Sequence, residues 1–346
     1  MYKIVYLYSE VMPYQTIVYK EMSEMGHEVH VFMDDKNRQT PYVPDDVNNV
    51  YYYKQSHFSK GELYDKVLHL DPDLLVVCGW SSKKYLYTAR KIRKQKRIPV
   101  VSPIDTQFTW RFKQILGFII SPFYIKKAFT HIWVPGVRQY FFARCLGYGD
   151  DRIILNSLTG NTHLFYKADI DKKKNNYPKN LLFVGRYNEV KGLQLLMEVW
   201  SSIEDKKGWK IVCAGNGPLQ EMLMQHKDVE VLGFQSQENL VTLAEKSGAF
   251  ILPSIYEPWA LVIQEFAAAG LPIICSIACG ASPHLVINKY NGYTFSTNNF
   301  DDLRRVLLHV INMKPEELLI MATNSRNLSR IVTPTISASS LLSILE

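Results

Sequence analysis

Residues 251–276, ILPSIYEPWALVIQEFAAAGLPIICS, place two carboxylates, Glu257 and Glu265, eight positions apart between two apolar runs. Proline is favoured at the first position of a helix. Pro258 therefore predicts a strand, a tight turn at Glu257, and a helix that carries Glu265 about two turns along. A helix N-terminus offers unpaired N–H groups and partial positive charge, both suited to a phosphate. Carboxylates beside such an anion site can hold the hydroxyls of a sugar or ribose. Three more segments close apolar runs in the same half of the chain. In Gly185-Arg186-Tyr187-Asn188-Glu189-Val190-Lys191-Gly192 a glycine lets the chain turn beside two cations. The arginine fork and the lysine point charge together neutralise a diphosphate; alone, the pair reads slightly better as solvated basic residues. Gly215-Asn216-Gly217-Pro218 lets backbone approach a ligand closely, although such turns are common. Leu232-Gly233-Phe234 offers backbone groups and a ring edge to a nucleobase, and Phe234 by itself reads as an ordinary strand end. The four together, in this order, are a much stronger signal than any one.

The elements that position them alternate, apolar runs with amphipathic segments, as in parallel α/β sheets. In the first half, residues 3–8, 28–33, 74–79, 98–103 and 131–136 read as strands. Residues 16–25 read as a helix stopped by Gly26. In the second half, 180–185, 210–215, 229–234, 248–253 and 271–276 read as strands. The polar, lysine-rich DIDKKKNNYPKN (169–180) lacks periodicity and reads as a connection. The expected division is a first domain at 1–168, a linker at 169–180, a second domain at 181–325, and a C-terminal helix at 326–346 that packs back on the first domain. Each domain is large enough to be doubly wound, with ligand at the carboxyl ends of the strands, between the halves.

A chain of 346 residues exceeds one ordinary domain, and 47% hydrophobic residues suffice for two cores. No uninterrupted apolar run has the length of a bilayer span. MYKIVYLYSE does not follow the basic-apolar-small order of a signal peptide. Of the five cysteines, Cys275 and Cys279 are close but have no second pair, so zinc is not expected. Reduced, buried thiols in a cytoplasmic protein are the expectation.

With these residues in place, the second half resembles the donor domain of retaining GT-B glycosyltransferases, specifically glycosyltransferase family 4. That family follows a G-R-x(4)-K-G segment with a G-x-G-P loop, an L-G turn and an E-x(7)-E element. Here they are Gly185-Arg186 to Lys191-Gly192, Gly215 to Pro218, Leu232-Gly233, and Glu257 to Glu265, and the match covers roughly 178–300. The resemblance implies a GT-B fold of two facing Rossmann-like, doubly wound domains with a cleft between them. It implies that Arg186 and Lys191 bind the donor diphosphate, Glu265 the ribose, and Glu257 the transferred sugar. The N–H groups of Ala260, Leu261 and Val262 would meet the distal phosphate. Gly185, Gly215, Gly217 and Phe234 complete the implied donor site. The chain departs from the pattern in having Trp259 and Ala260 where phenylalanine and glycine are usual, which adds bulk beside the sugar. In Gly280-Ala281-Ser282-Pro283-His284, His284 replaces a usual glutamate.

The first half resembles the family more loosely. Gly26-His27-Glu28-Val29 matches a G-H-E-V segment, with His27 a cap residue. Asp105, after IPVVSPI, is the candidate polar group near the reacting centre, with a capping or turn aspartate as the alternative reading. Asn161-Thr162-His163 stands where relatives carry an N-G-V-D-like loop, and His163 reads as structural. Residues 81–127 hold twelve lysines and arginines against one acid, a surplus of eleven where the whole chain has +7. Nine large apolar or aromatic residues between Trp110 and Tyr124 are interleaved. An anionic membrane surface suits that composition; a solvated basic helix followed by a core helix is equally consistent with it. Nucleic acid is not expected, because no recognition motif accompanies the charge.

The sequence therefore reads as a retaining, hexosyltransferase-type enzyme. It would move a sugar from a nucleotide diphosphate, weighted towards UDP, to a hydroxyl acceptor in cell-surface polysaccharide or lipid-linked glycan assembly. No cofactor or metal is required, since the cations replace one and no D-x-D-like cluster is present. The alternatives are a GT-B sugar-nucleotide epimerase, a phosphorylase, for which no pyridoxal lysine is apparent, or a catalytically silent subunit that binds a partner or the membrane. The expected location is the cytoplasm, or the inner face of the cytoplasmic membrane through residues 83–127.

Overall fold

The computed structural model describes residues 1–35 and 42–346, the side chain of Lys113 excepted. The chain divides into one unit of residues 1–159 with 334–346, and a second of residues 160–333.

The first unit is a seven-stranded parallel sheet: β1 (Lys3–Leu7), β2 (Glu28–Met33), β3 (Val50–Lys54), β4 (Leu74–Val77), β5 (Val100–Pro103), β6 (His131–Trp133) and β7 (Ile153–Ile154). Its order is 3-2-1-4-5-6-7. Successive side chains of a strand point to opposite faces, so a sheet covered by helices on both sides needs apolar residues at every position. Val5 and Leu7 of β1 enter one core with Leu75 and Val77. Ile4 and Tyr6 enter the other with Leu74 and Val76. The terminal helix, Pro334–Leu342, lies against helix Pro13–Glu24, and its Ala338, Leu341 and Leu342 join the second core.

The second unit is a six-stranded parallel sheet: β8 (Asn180–Val184), β9 (Lys210–Ala214), β10 (Val229–Val231), β11 (Ala249–Leu252), β12 (Ile273–Ser276) and β13 (Gly292–Phe295). Its order is β10-β9-β8-β11-β12-β13. In both sheets the winding reverses beside the first strand, between β1 and β4 and between β8 and β11. That reversal opens a crevice at the carboxyl ends of those strands.

The expected strands are all present, and β3, β7 and β13 are additional. Three boundaries differ. The first unit ends at residue 159, not 168, residues 169–180 are not a free linker but part of the second unit, and that unit runs to 333, not 325, so that the segment returning to the first unit begins at 334. The physical reason is packing. Tyr177 is buried and its hydroxyl donates to the Gly248 carbonyl at 2.8 Å. Lys173 is only 1% exposed, and burial, with Arg326 nearby, pushes its ammonium down to about 7. Residues Pro315–Leu345 have the length and hydropathy of a membrane-crossing helix. They contain two separate helices, Pro315–Ser329 and Pro334–Leu342, each with a buried face.

Gly248 tests the packing of 169–180. A Cβ there would lie 2.1 Å from the Pro178 carbonyl oxygen and 2.7 Å from the Trp209 ring. Gly248→Ala is expected to cost about 1–3 kcal/mol by overpacking, read as a lower urea midpoint. An unchanged midpoint would mean that Pro178 is free to move aside.

Candidate functional site

The crevice of the second unit is assembled by glycines. The loop after β8 turns through Gly185 and a short 3-10 turn, Glu189–Lys191, and ends at Gly192 in the left-handed conformation, φ 68°. A Cβ on Gly192 would sit 2.1 Å from the Pro253 carbonyl oxygen, just beyond β11. Only glycine permits that approach, and the Ile255 N–H then donates to the Val190 carbonyl at 2.8 Å. The loops after β8 and β11 are thereby fastened side by side. Across them, the Lys191 ammonium forms an ion pair with Glu257 Oε2, with side chains 16% and 15% exposed.

The loop after β9 is fastened to the same place. The Tyr187 N–H donates to the Asn216 carbonyl at 2.8 Å, and the Leu219 N–H to the Tyr187 carbonyl at 3.0 Å. A Cβ on Gly215 would meet the Gly185 carbonyl oxygen at 2.0 Å, and one on Gly217 the Tyr187 backbone at 2.5 Å. The Gly215 N–H in turn donates to the Gly233 carbonyl at 2.7 Å. Three of the four segments are thus hydrogen-bonded in series, and the fourth is ion-paired to the first. Arg186 and Phe234 lie exposed at the ends of β8 and β10, Phe234 at 77%.

The E-x(7)-E element differs from expectation at its start. Pro258 is not the first helical residue; the helix is Leu261–Ala268, with Ala260 as its N-cap. The cause is a pairing distant in sequence. The Gly280 N–H donates to the Glu257 carbonyl at 2.9 Å and the Ala281 N–H to the Trp259 carbonyl at 2.7 Å, which holds 257–259 out of the helix. The chain then enters the helix through Ala260 at φ 84°. For a residue with a Cβ that conformation costs roughly 1–2 kcal/mol, which explains why glycine is usual in the pattern this segment resembles. Leu261 and Val262 open the helix.

Trp259 is 2% exposed, with its ring 5.5 Å from that of His284. The ring is withdrawn from the surface, and two of the three departures from the family pattern, Trp259 and His284, pack on each other. Glu265 is also buried, at 8% exposure. Its Oε1 accepts from the Asn161 N–H at 3.4 Å, and burial pushes its carboxyl up to about 7. Neighbouring Gln264 accepts from the Gly160 N–H at 2.6 Å.

Asp105 lies in the other unit, exposed, with its carbonyl accepting from the Gln139 side-chain amide at 2.8 Å. It lines a cavity of about 110 Å³ at the carboxyl ends of the strands of the first sheet. Tyr8, Tyr14, Tyr19, Cys78 and Trp133 share that cavity. The Tyr19 hydroxyl is buried without a hydrogen-bond partner. Burial, with Asp105 adding to it, raises both the Tyr14 phenol and the Cys78 thiol. The tyrosines escaped sequence reasoning; their only signal is the run Tyr6, Tyr8, Tyr14, Tyr19 around the end of β1. All five cysteines are free, and Cys145, contrary to expectation, is exposed. Among the described residues no group of three His, Cys, Asp or Glu is placed to hold a metal.

Residues 167–328 match the family Glycosyl transferases group 1. That match falls wholly within the second unit. An uncharacterized glycosyltransferase of Haemophilus influenzae is 31% identical over 179 residues, half of each chain. One from Methanocaldococcus jannaschii is 31% identical over 133 residues, 36% of this chain and 34% of its own. The chain thus spans a quarter to a half of the length of the curated relatives it matches. The whole chain shares its fold with sucrose-phosphate synthase from Thermosynechococcus elongatus: TM-score 0.76 at 16% identity, over 99% of this chain and 98% of that one. Anabaena HepE, solved in complex with UDP and glucose, gives 0.71 at 16%, over 99% of both chains. The architecture is GT-B, with two Rossmann-like domains, and the glycine-built crevice lies in the segment that matches the glycosyl transferases group 1 model.

The buried Glu265 makes stability depend on pH. Because the folded carboxyl titrates near 7 and an unfolded one near 4.5, the folded state binds the extra proton between those values. Its contribution to stability is full below about 4.5 and is lost as pH rises through 7. Glu265→Gln should flatten that fall in urea titrations from about pH 5 to 8.5; an equal slope in both proteins would contradict it. Ala260→Gly should raise stability by on the order of 1 kcal/mol, by relieving the left-handed backbone. A lower urea midpoint would show that the methyl contributes more through packing.

Proposed function

We propose that the chain is a retaining glycosyltransferase that moves a hexose from a nucleoside diphosphate sugar to a hydroxyl of a polysaccharide or lipid-linked glycan. The observation that carries this reading is the Lys191–Glu257 pair at the crevice between β8 and β11. It puts a cation and a carboxylate in contact where a nucleotide binds in this class of sheet. HepE and a trehalose-6-phosphate enzyme of Escherichia coli have been solved with UDP or UDP-sugar compounds, which supports UDP as the nucleotide.

In this reading Lys191 exchanges its Glu257 partner for the donor diphosphate, with Arg186 and the N–H groups opening helix Leu261–Ala268 as further donors. Glu257, relieved of the lysine, accepts from a hydroxyl of the sugar. The bond between the anomeric carbon and the diphosphate oxygen breaks, and a new bond forms to the acceptor oxygen on the same face. The acceptor proton passes to the departing phosphate. Negative charge grows on the diphosphate as this happens, and pre-placed cations stabilise the transition state more than the ground state. The tyrosine-lined cavity with Asp105 is our assignment for the acceptor, its rings offering apolar faces and its hydroxyls hydrogen bonds.

The test is nucleotide release from a panel of UDP-, GDP- and ADP-sugars, with and without added acceptor glycans. Lys191→Ala and Glu257→Gln are each expected to lower kcat/KM on the active donor by about 10²-fold or more. Full activity in both variants would overturn the reading.

A further inference from the structure

We propose that the first unit docks on an anionic phospholipid bilayer through helix Phe112–Ile120 and the residues that flank it. The helix is the reverse of an ordinary surface helix. Phe112, Ile115, Leu116 and Ile119 recur at helical spacing, and that apolar stripe faces solvent, exposed at 77%, 39%, 44% and 67%. Trp110 before the helix and Phe123 after it are 76% and 72% exposed. The inward side is held by Phe118, whose ring lies 5.1 Å from Phe108 and 6.0 Å from Phe142, and by Gln114, which donates to the Gln107 carbonyl. Sequence left open whether this helix belongs to a core, and in the structure only Phe118 of its large side chains turns inward among those described. An exposed apolar patch of this extent marks an interaction surface.

The charge around it selects the partner. Helix Lys83–Lys96 lies beside the chain that leaves the apolar helix. The Arg90 guanidinium sits 4.7 Å over the Tyr124 ring and donates to the Tyr124 carbonyl, and Arg93 donates to the Phe129 carbonyl. The basic helix and the apolar stripe are therefore neighbours in space as well as in sequence. Lys91, Lys94, Arg111 and Lys127 are exposed on these elements. Residues 81–127 hold twelve cations and one acid, while the rest of the chain has 28 cations and 32 acids, a net −4. The positive charge of this protein is thus concentrated in the segment that also exposes its aromatic and aliphatic residues. An amphipathic helix whose apolar face enters the headgroup boundary while lysines and arginines meet anionic lipid has this composition. A nucleic acid would satisfy the cations but gives an isoleucine and leucine stripe nothing to enter.

Co-sedimentation of the full chain with vesicles tests it, comparing phosphatidylcholine alone with phosphatidylcholine carrying about 30% phosphatidylglycerol, an anionic surface of the kind that attracts basic segments. The wild type is expected to pellet at least about fivefold more with the anionic vesicles, and to lose most of that preference at high salt, because the attraction is screened. Ile119→Ser with Phe123→Ser should lower binding several-fold at every salt concentration. Lys91→Gln, Lys94→Gln and Lys127→Gln together should lower it chiefly at low salt. The substituted residues are exposed, and an unchanged circular dichroism spectrum and thermal melt would confirm intact folding. Wild-type protein that stays in solution with both vesicles, or binding indifferent to the apolar pair, overturns the proposal. So does an equal pelleting with both compositions, which would make the contact non-electrostatic.

Discussion

The close approach of Gly192 to the Pro253 carbonyl is the constraint on which the site depends. Without a side chain at that point the loops after β8 and β11 lie near enough for the Ile255–Val190 hydrogen bond and for Lys191 to reach Glu257. Gly215 and Gly217 repeat the device one strand further along, where the β9 loop rests on Gly185 and Tyr187. Each glycine sits where a methyl would strike backbone, not a side chain that could turn away. The crevice is therefore set by main-chain contacts, and the charged groups are placed by it.

A lysine and a glutamate so largely withdrawn from solvent are poorly solvated as separate ions, and each is the other's compensation. That pairing sets a threshold for the proposed donor, whose diphosphate must offer Lys191 at least as much as Glu257 does. A single phosphate carries less charge to do so. The preference for a diphosphate then comes from competition within the site as well as from attraction to it.

Most of the architecture was legible in the sequence because parallel strands buried on both faces are continuous apolar runs. The three strands that escaped lack that signature. β3, VYYYK, is an edge strand with partly exposed residues, β7 has two residues, and β13, GYTF, begins with glycine. The start of the helix after Glu257 was misplaced because Pro258 is a valid local signal that a distant pairing overrides, the one between 257–259 and 279–281. Distance in sequence also hid the contact of Trp259 with His284, although each stood out singly as a departure from the family pattern. The lysines of 169–180 read as solvated, and one of them, Lys173, is buried. Charge predicts exposure only until a tertiary contact encloses it. The two units also differ in what sequence could say of them. The glycine motifs of the second are local and regular, whereas the tyrosines of the first converge only when the sheet folds.

Whether Lys191 leaves Glu257 to hold a diphosphate is measured most directly by isothermal titration of the intact protein with UDP, UMP and uridine, in the wild type and in Lys191→Ala. The expected result is binding that strengthens from uridine through UMP to UDP in the wild type, with the advantage of UDP over UMP reduced in the variant. Equal affinities for UDP and UMP in the wild type, or an undiminished UDP advantage without the lysine, would contradict it.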